Sequence, residues 1–181
     1  MATWIRRAGL GGWSAVPKES RNSDIVLTWV LKRKLDMRKL SETPHLDQVR
    51  LIEFPQIHDP RGDLTPIESG RTVPFEIARV YYVYNVPVDA LRGGHAHRKF
   101  EEVLIALSGS FRVVVDDGHR REEYWLRDPG QGLYIGRMVW RELDSFSQGG
   151  VSMVLASHHF DEADYYRDYA EFTSAVMDSA E

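Results

Sequence analysis

The sequence predicts an all-β domain, an antiparallel sandwich or barrel, on three observations. Short runs rich in Val, Ile, Tyr and Phe recur from Gln48 onward. Clusters of Gly, Pro and Asp punctuate them at close spacing. No long helical pattern separates one run from the next, which argues against strands alternating with helices around a parallel sheet.

The candidate strands run in order through Val49–Phe54, Ile77–Val86, Phe100–Leu107, Phe111–Val115, Glu123–Leu126, Gly132–Ile135, Val139–Leu143 and Val151–Ala156. Turn residues divide them: Asp59-Pro60-Arg61-Gly62, Arg92-Gly93-Gly94, Ser108-Gly109, Asp116-Asp117-Gly118, Asp128-Pro129-Gly130 and Gln148-Gly149-Gly150. The end, from about Asp161 to Met177, reads as a short C-terminal helix. Residues 1–48 read as a poorly structured N-terminal extension, flexible or holding a single helix over Asp24–Leu40, and residues 49–181 as the domain. In that helix Ile25, Val26, Trp29, Val30 and Leu35 share a rough stripe that ends in Lys32-Arg33-Lys34. Charge marks a similar division: residues 1–36 carry +4 and the remaining 145 carry −8.

Composition narrows the class. With 181 residues and 43% hydrophobic content, one domain with a real core is expected. There is no cysteine, so disulfides, thiolate metal sites and cysteine nucleophiles are excluded. That absence fits a reducing cytoplasm. The net charge of −4 does not suggest a nucleic-acid partner. No run of about 18 apolar residues suggests a membrane span, and Arg6 and Arg7 precede no clean apolar stretch of the kind that makes a secretory leader.

The chemistry centres on Arg92-Gly93-Gly94-His95-Ala96-His97. Side chains alternate across a strand, so His95 and His97 share a face. Two imidazoles side by side suit either a first-row metal or proton transfer near neutrality. A similar argument applies to Arg79-Val80-Tyr81-Tyr82-Val83-Tyr84. Arg79 and Tyr81 fall on one face, Tyr82 and Tyr84 on the other, and one face must pack a core. An arginine in a dry core would be left unpaired, so the face of Arg79 and Tyr81 is read as the polar pocket lining.

Reading on from His97, Glu102 and then Gly109 follow, which resembles the first motif of the cupin superfamily: HxH, a glutamate, then a glycine. The stretch resembling the second motif, Asp128 to Arg137, holds no histidine. Two histidines and Glu102 leave a facial-triad metal site open. The flanks make the resemblance more specific. Residues 59–68 (DPRGDLTPIE), 75–87 (FEIARVYYVYNVP), 92–118, 132–143 (GLYIGRMVWREL), 154–157 and 164–172 (DYYRDYAEF) resemble, in order, the sugar 3,4-ketoisomerases that act on dTDP-4-keto-6-deoxyglucose. In that family glutamine is more often expected at the position of Glu102.

The resemblance implies a cupin-type antiparallel β-barrel, or jelly roll, working as a cytoplasmic homodimer with no metal and no cofactor. Its substrate is a dTDP-sugar. A downstream aminotransferase is linked to it only through metabolism. The implied reaction moves the keto group from C4 to C3 through an enediol, in the making of amino sugars for polysaccharides or natural products. His95 matches the catalytic histidine and is assigned as general base or acid. Tyr81 is assigned to proton shuttling or to holding the enediol oxygens, and His97 to a supporting acid–base or orienting role. Arg61, Arg79 and Arg92 are candidates for the diphosphate. Trp140 is a candidate for stacking on thymine. Arg61-Gly62 resembles the pair found in the branch that forms the galacto product. Two kinds of rival remain. One is another enzyme, either a metal-dependent cupin or a 3,5-epimerase, although the histidine–aspartate arrangement of the latter does not match this strand. The other is a sugar-nucleotide-binding module without activity.

Overall fold

The computed structural model describes residues 46–178. Most of the expected extension, including the helix over Asp24–Leu40, lies outside the described residues. The described chain opens with a 3-10 turn at Leu46–Gln48 and then runs through twelve strands and one helix. These are β1 (Arg50–Glu53), β2 (Ile57–Asp59), β3 (Gly62–Leu64), β4 (Arg79–Val83), β5 (Arg92–His97), β6 (Glu102–Ser108), β7 (Phe111–Asp116), β8 (Arg121–Leu126), β9 (Gln131–Ile135), β10 (Trp140–Asp144), β11 (Val151–Ala156), β12 (Tyr165–Tyr166) and α1 (Tyr169–Asp178). Two five-stranded antiparallel sheets, β1-β9-β6-β11-β4 and β12-β5-β10-β7-β8, face each other, and β2-β3 forms a separate hairpin. The expected cupin-type β-barrel is the fold observed.

Alternation decides what lies between the sheets. Leu104, Ala106, Leu133 and Val154 of the first sheet meet Phe111, Val113, Val115 and Leu143 of the second, all of them buried. Each of the Leu, Val and Phe side chains among them contributes about 1.5–3 kcal/mol relative to exposure. The strand β6 is central and reads as a continuous apolar run because both its faces are covered. Val103 and Ile105 point outward, under Val73 and Phe75 of the segment between β3 and β4. The outer face of the second sheet is covered by α1, where Phe172 and Val176 pack on Ala96, Trp140 and Tyr166.

The structure differs from the sequence reading in three places. Leu46 and Gln48, read with the extension, are buried, and the Leu46 amide donates to Asp117 at 2.9 Å. The hairpin β2-β3 was not foreseen, because its runs are three residues each and wholly exposed. The helix expected from Asp161 starts only at Tyr169. Before it, Asp161 caps a 3-10 turn, and Tyr165-Tyr166 pair as a strand with His97-Ala96. Asp168 then starts α1, its Oδ1 accepting from the amides of Ala170 and Glu171 at 2.8 and 3.0 Å.

One irregularity aims the site. Arg141 pairs with His95 but Glu142 pairs with Gly93, so Gly94 is an extra residue that bulges β5 just before the histidines. Gly93 and Gly94 have φ of +80° and +67°, which L side chains rarely adopt. A Cβ on Gly93 would also sit 2.7 Å from the Arg141 carbonyl oxygen, whereas one on Gly94 would meet nothing within 4 Å. Gly94→Ala is therefore expected to cost the backbone strain alone, about 1–2 kcal/mol. Gly93→Ala should cost clearly more. Urea unfolding midpoints of the two variants check this, and equal losses would show that the bulge tolerates a side chain at both positions.

Candidate active site

The polar groups collect at one end of the space between the sheets. Arg141 stands directly opposite His95 in the β10-β5 ladder, so the two side chains share the inner face. Tyr165 stands opposite His97 in the β12-β5 ladder. On the facing sheet Arg79 pairs with Ala156, which pairs in turn with Glu102. The small Ala156 thus lies between two long polar side chains. Tyr81 is one inward position further along β4 and packs on the edge of the apolar core.

The two histidines meet as expected, with ring centroids 4.9 Å apart and their planes at 83°. The Tyr165 ring lies 5.0 Å from His95 and 4.2 Å from His97, and Phe100 stacks on His97 at 4.3 Å. His97 is 1% exposed, and its Nδ1 is 3.1 Å from Oδ2 of Asp164. Asp164 is itself fixed by the amides of Lys99 and Phe100, at 2.9 and 3.2 Å. An ionised carboxylate only accepts, so Nδ1 of His97 carries the hydrogen and Nε2 is left bare. Burial holds His97 well below the ordinary imidazole range, and the charge of Arg141 and the neighbouring His95 add to this.

His95 is less enclosed. Burial lowers its pKa to about 4, with a further push from Arg141. The imidazole is therefore neutral, and able to accept a proton, throughout the physiological range. Burial also raises the Tyr81 phenol far above its ordinary range, and the Glu102 carboxylate acts in the same direction. Tyr81 is thus a neutral hydroxyl at any pH the protein meets.

Beneath these groups lies a buried ion pair. Glu102 is 2% exposed and Arg141 1%. Arg141 Nε is 2.9 Å from Glu102 Oε1, and the Tyr81 hydroxyl is 3.4 Å from Oε2. Arg141 Nη1 reaches the His95 carbonyl at 3.5 Å, and among the described residues neither Nη2 nor Nε has a hydrogen-bond partner, so the contact of Nε with Glu102 is one of charge. Burial pushes the Glu102 carboxyl up and Arg141 pulls it back. Arg79 completes the lining, its guanidinium carbon 4.5 Å from the Tyr81 ring centroid and 5.6 Å from that of Phe160.

The sequence-predicted residues thus divide. His95, His97, Tyr81 and Arg79 come together. Arg92 is exposed at the start of β5, beside Tyr84, Pro87 and Leu91. Arg61 and Gly62 sit on the exposed β2-β3 hairpin, where Arg61 bonds Asp59 through Nε at 2.7 Å. Trp140 does not face the pocket. It points outward from β10, against Tyr169 and Phe172 of α1, and donates from Nε1 to Glu142 at 3.1 Å. Stacking on a base is therefore not open to it. The face of Tyr82 and Tyr84 is not core either, since both side chains are exposed. The facial-triad reading needs Glu102 as its third ligand, but that carboxylate is engaged by Arg141. Among the described residues no three His, Cys, Asp or Glu side chains converge as a ligand set.

Arg141, Asp164 and Tyr165 were missed. Arg141 carries the same signal as Arg79, a cation in the inward register of a strand that also holds Val139 and Leu143. Asp164 and Tyr165 left no local signal, because they reach the histidines only through the β12-β5 pairing.

The barrel thus holds a neutral histidine, a tyrosine and a buried ion pair at one end of the space between its sheets. Residues 47–177 match the family model described as FdtA: WxcM-like, C-terminal. A TDP-4-oxo-6-deoxy-alpha-D-glucose-3,4-oxoisomerase from Aneurinibacillus thermoaerophilus is 47% identical over 127 residues, covering 70% of this chain and 91% of that protein. A mutant of the 3,4-ketoisomerase QdtA from Thermoanaerobacterium thermosaccharolyticum, solved with TDP-4-keto-6-deoxyglucose, is 42% identical. It superposes with a TM-score of 0.72 over 74% of this chain and 97% of its own. The WlaRB TDP-quinovose 3,4-ketoisomerase from Campylobacter jejuni is 43% identical, with a TM-score of 0.68 over 70% and 97%. The chain belongs to the FdtA family of WxcM-like, C-terminal domains.

A histidine with a folded pKa of about 4 and an unfolded value near 6.5 binds fewer protons folded than unfolded between those limits. Its contribution to stability therefore rises with pH from about 4 to about 6.5. An NMR titration of the His95 ring is expected to show a midpoint near 4. A midpoint near 6.5 would mean that the ring is hydrated and that Arg141 is not felt.

Proposed function

We propose that this protein is a sugar-nucleotide 3,4-ketoisomerase. It converts dTDP-4-keto-6-deoxyglucose to the 3-keto isomer by acid–base catalysis through an enediol. The observation that carries this reading is a neutral His95 and a neutral Tyr81, both close to Arg141 on the inner faces of a barrel whose relatives are named for that reaction. A proton leaves C3 and one returns at C4, while the hydroxyl proton of O3 is exchanged for one on O4. His95 takes the carbon-bound proton and gives one back. Tyr81, an uncharged hydroxyl, serves the oxygens. His97, oriented by Asp164, backs His95. The unpartnered Nη2 of Arg141 supplies a donor for the charge that develops on the enediol oxygens. Arg79, Arg92 and, from the β2-β3 hairpin, Arg61 are the cations for the diphosphate. No metal or cofactor enters the scheme.

The assembly we propose is a cytoplasmic homodimer that serves the making of amino sugars, its product passing to an aminotransferase. The dimer draws support from the outer face of β4, an edge strand whose Val80, Tyr82 and Tyr84 are 55%, 63% and 57% exposed. Contiguous apolar surface of this kind, rimmed by polar residues, marks interaction sites. No described helix is long and apolar enough to cross a membrane.

Three experiments test these readings. Proton NMR of the keto sugar in deuterated water with metal-stripped protein should show a 3-keto product with exchange at the reacting carbons. His95→Asn should lower kcat by about 10²–10⁴-fold, the range for a general acid–base group, and leave dTDP affinity largely intact. Normal turnover by that variant would remove His95 from its role, and tight binding without turnover by the unaltered protein would favour a binding module. For the dimer, Tyr82→Asp should convert a two-chain species to single chains in analytical ultracentrifugation. An unchanged mass would place the contact elsewhere.

A further inference from the structure

The buried carboxylate of Glu102 has no part in the scheme above, and its surroundings assign it one. It lies on the inner face of β6 with its two oxygens used differently. Oε1 faces the Arg141 guanidinium at 2.9 Å, and Oε2 accepts from the Tyr81 hydroxyl at 3.4 Å. Glu102 is buried, and among the described residues Tyr81 is the one side chain that hydrogen-bonds its carboxylate. Tyr81 is equally limited. Its ring is held on one side by the Arg79 guanidinium, and the hydrogen bond recorded for its hydroxyl goes to Glu102. The order of contacts is therefore Arg141, Glu102, Tyr81. A long strand-borne arginine fixes a carboxylate, and the carboxylate fixes the direction of one phenol.

We propose that Glu102 is a positioning residue for Tyr81, a carboxylate clamped by Arg141 that aims the tyrosine hydroxyl at the substrate oxygens. This inference rests on the isomerase reading. A phenol C–O bond turns with its ring, but its O–H rotates freely unless one acceptor holds it. In a dry pocket an acceptor held by an ion pair does this without reorganising during the reaction. The Tyr81 hydrogen then lies toward Glu102, and the oxygen lone pairs face the pocket, ready to accept a hydrogen bond from a substrate hydroxyl. A glutamine at this position would keep an acceptor oxygen of the same reach; an apolar side chain would keep none.

The experiment is a mutant cycle read as the effect of Tyr81→Phe on kcat in each background, with KM measured alongside. In the unaltered protein Tyr81→Phe should lower kcat by about 10²–10⁴-fold. In a Glu102→Met background kcat should already be about 10²-fold lower, the loss typical of a misplaced group, with KM nearly unchanged. Tyr81→Phe should then add less than about threefold, because the hydroxyl is no longer aimed. Glu102→Gln should recover most of the activity and restore sensitivity to Tyr81→Phe. If Glu102→Met does not fold, because it leaves Arg141 buried without its partner, Glu102→Met/Arg141→Met replaces the pair with apolar side chains of similar length. The same insensitivity to Tyr81→Phe is expected there. Full sensitivity to Tyr81→Phe in either apolar background overturns the proposal, as does an unaltered protein in which Tyr81→Phe has no effect. An unaltered protein that does not isomerise the keto sugar at all overturns the isomerase reading instead.

Discussion

The ion pair between Glu102 and Arg141 is the constraint on which the polar half of the barrel depends. The two residues come from opposite sheets, β6 and β10, and meet where neither reaches water. Taking both charges out of water costs several kcal/mol per ion, and their attraction repays this only when the geometry is close. The pair is thus weak evidence of stability and stronger evidence of purpose. Losing either partner alone would leave a buried charge exposed to its neighbours, and those neighbours are His95 and Tyr81. The same pair sets the field they feel. Arg141 adds to the burial that keeps His95 neutral, and Glu102 adds to the burial that keeps Tyr81 a phenol.

The pair is placed by sheet geometry rather than by loops. Every polar group named in the pocket except Asp164 projects from a strand, and strands hold side chains more closely than loops do. The inner face changes character along its length. Leu104, Ala106, Val154 and Leu143 close one end as dry core, and one or two residues further along the same strands stand Glu102, Ala156 and Arg141. The bulge at Gly94 then turns β5 so that the histidines enter this polar end. Closing the far side is the work of β12, which brings Tyr165 over both imidazoles and leaves Asp164 beside His97.

How much of this was legible follows from the range over which each signal acts. Alternation is local, so the shared face of His95 and His97, and that of Arg79 and Tyr81, could be read directly. The same rule would have yielded Arg141, which stands in the inward register between Val139 and Leu143. Attention went instead to its neighbour Trp140, whose large ring packs under α1 and belongs to the opposite face. Tyr82 and Tyr84 were misjudged for another reason. A strand at a sheet edge can be exposed on its outer face, and nothing in its own sequence says whether another chain covers it. The β12 pairing was out of reach, because Tyr165 and His97 are neighbours only across 68 residues of chain. Composition near Tyr165 favoured a helix, and tertiary pairing overrode it.

In the proposed reaction a base whose pKa is near 4 looks weak for taking a proton from carbon, but an isomerisation needs the same group to act twice. At C3 it must accept and at C4 it must release, so neither step can be favoured at the expense of the other. A strongly basic imidazole would keep the proton after the first step. In this pocket the imidazolium is disfavoured by burial and by Arg141 until a negative enediol oxygen lies beside it, and then the two new charges offset each other in a medium of low dielectric. The charged form of His95 is thus stabilised chiefly while the intermediate exists.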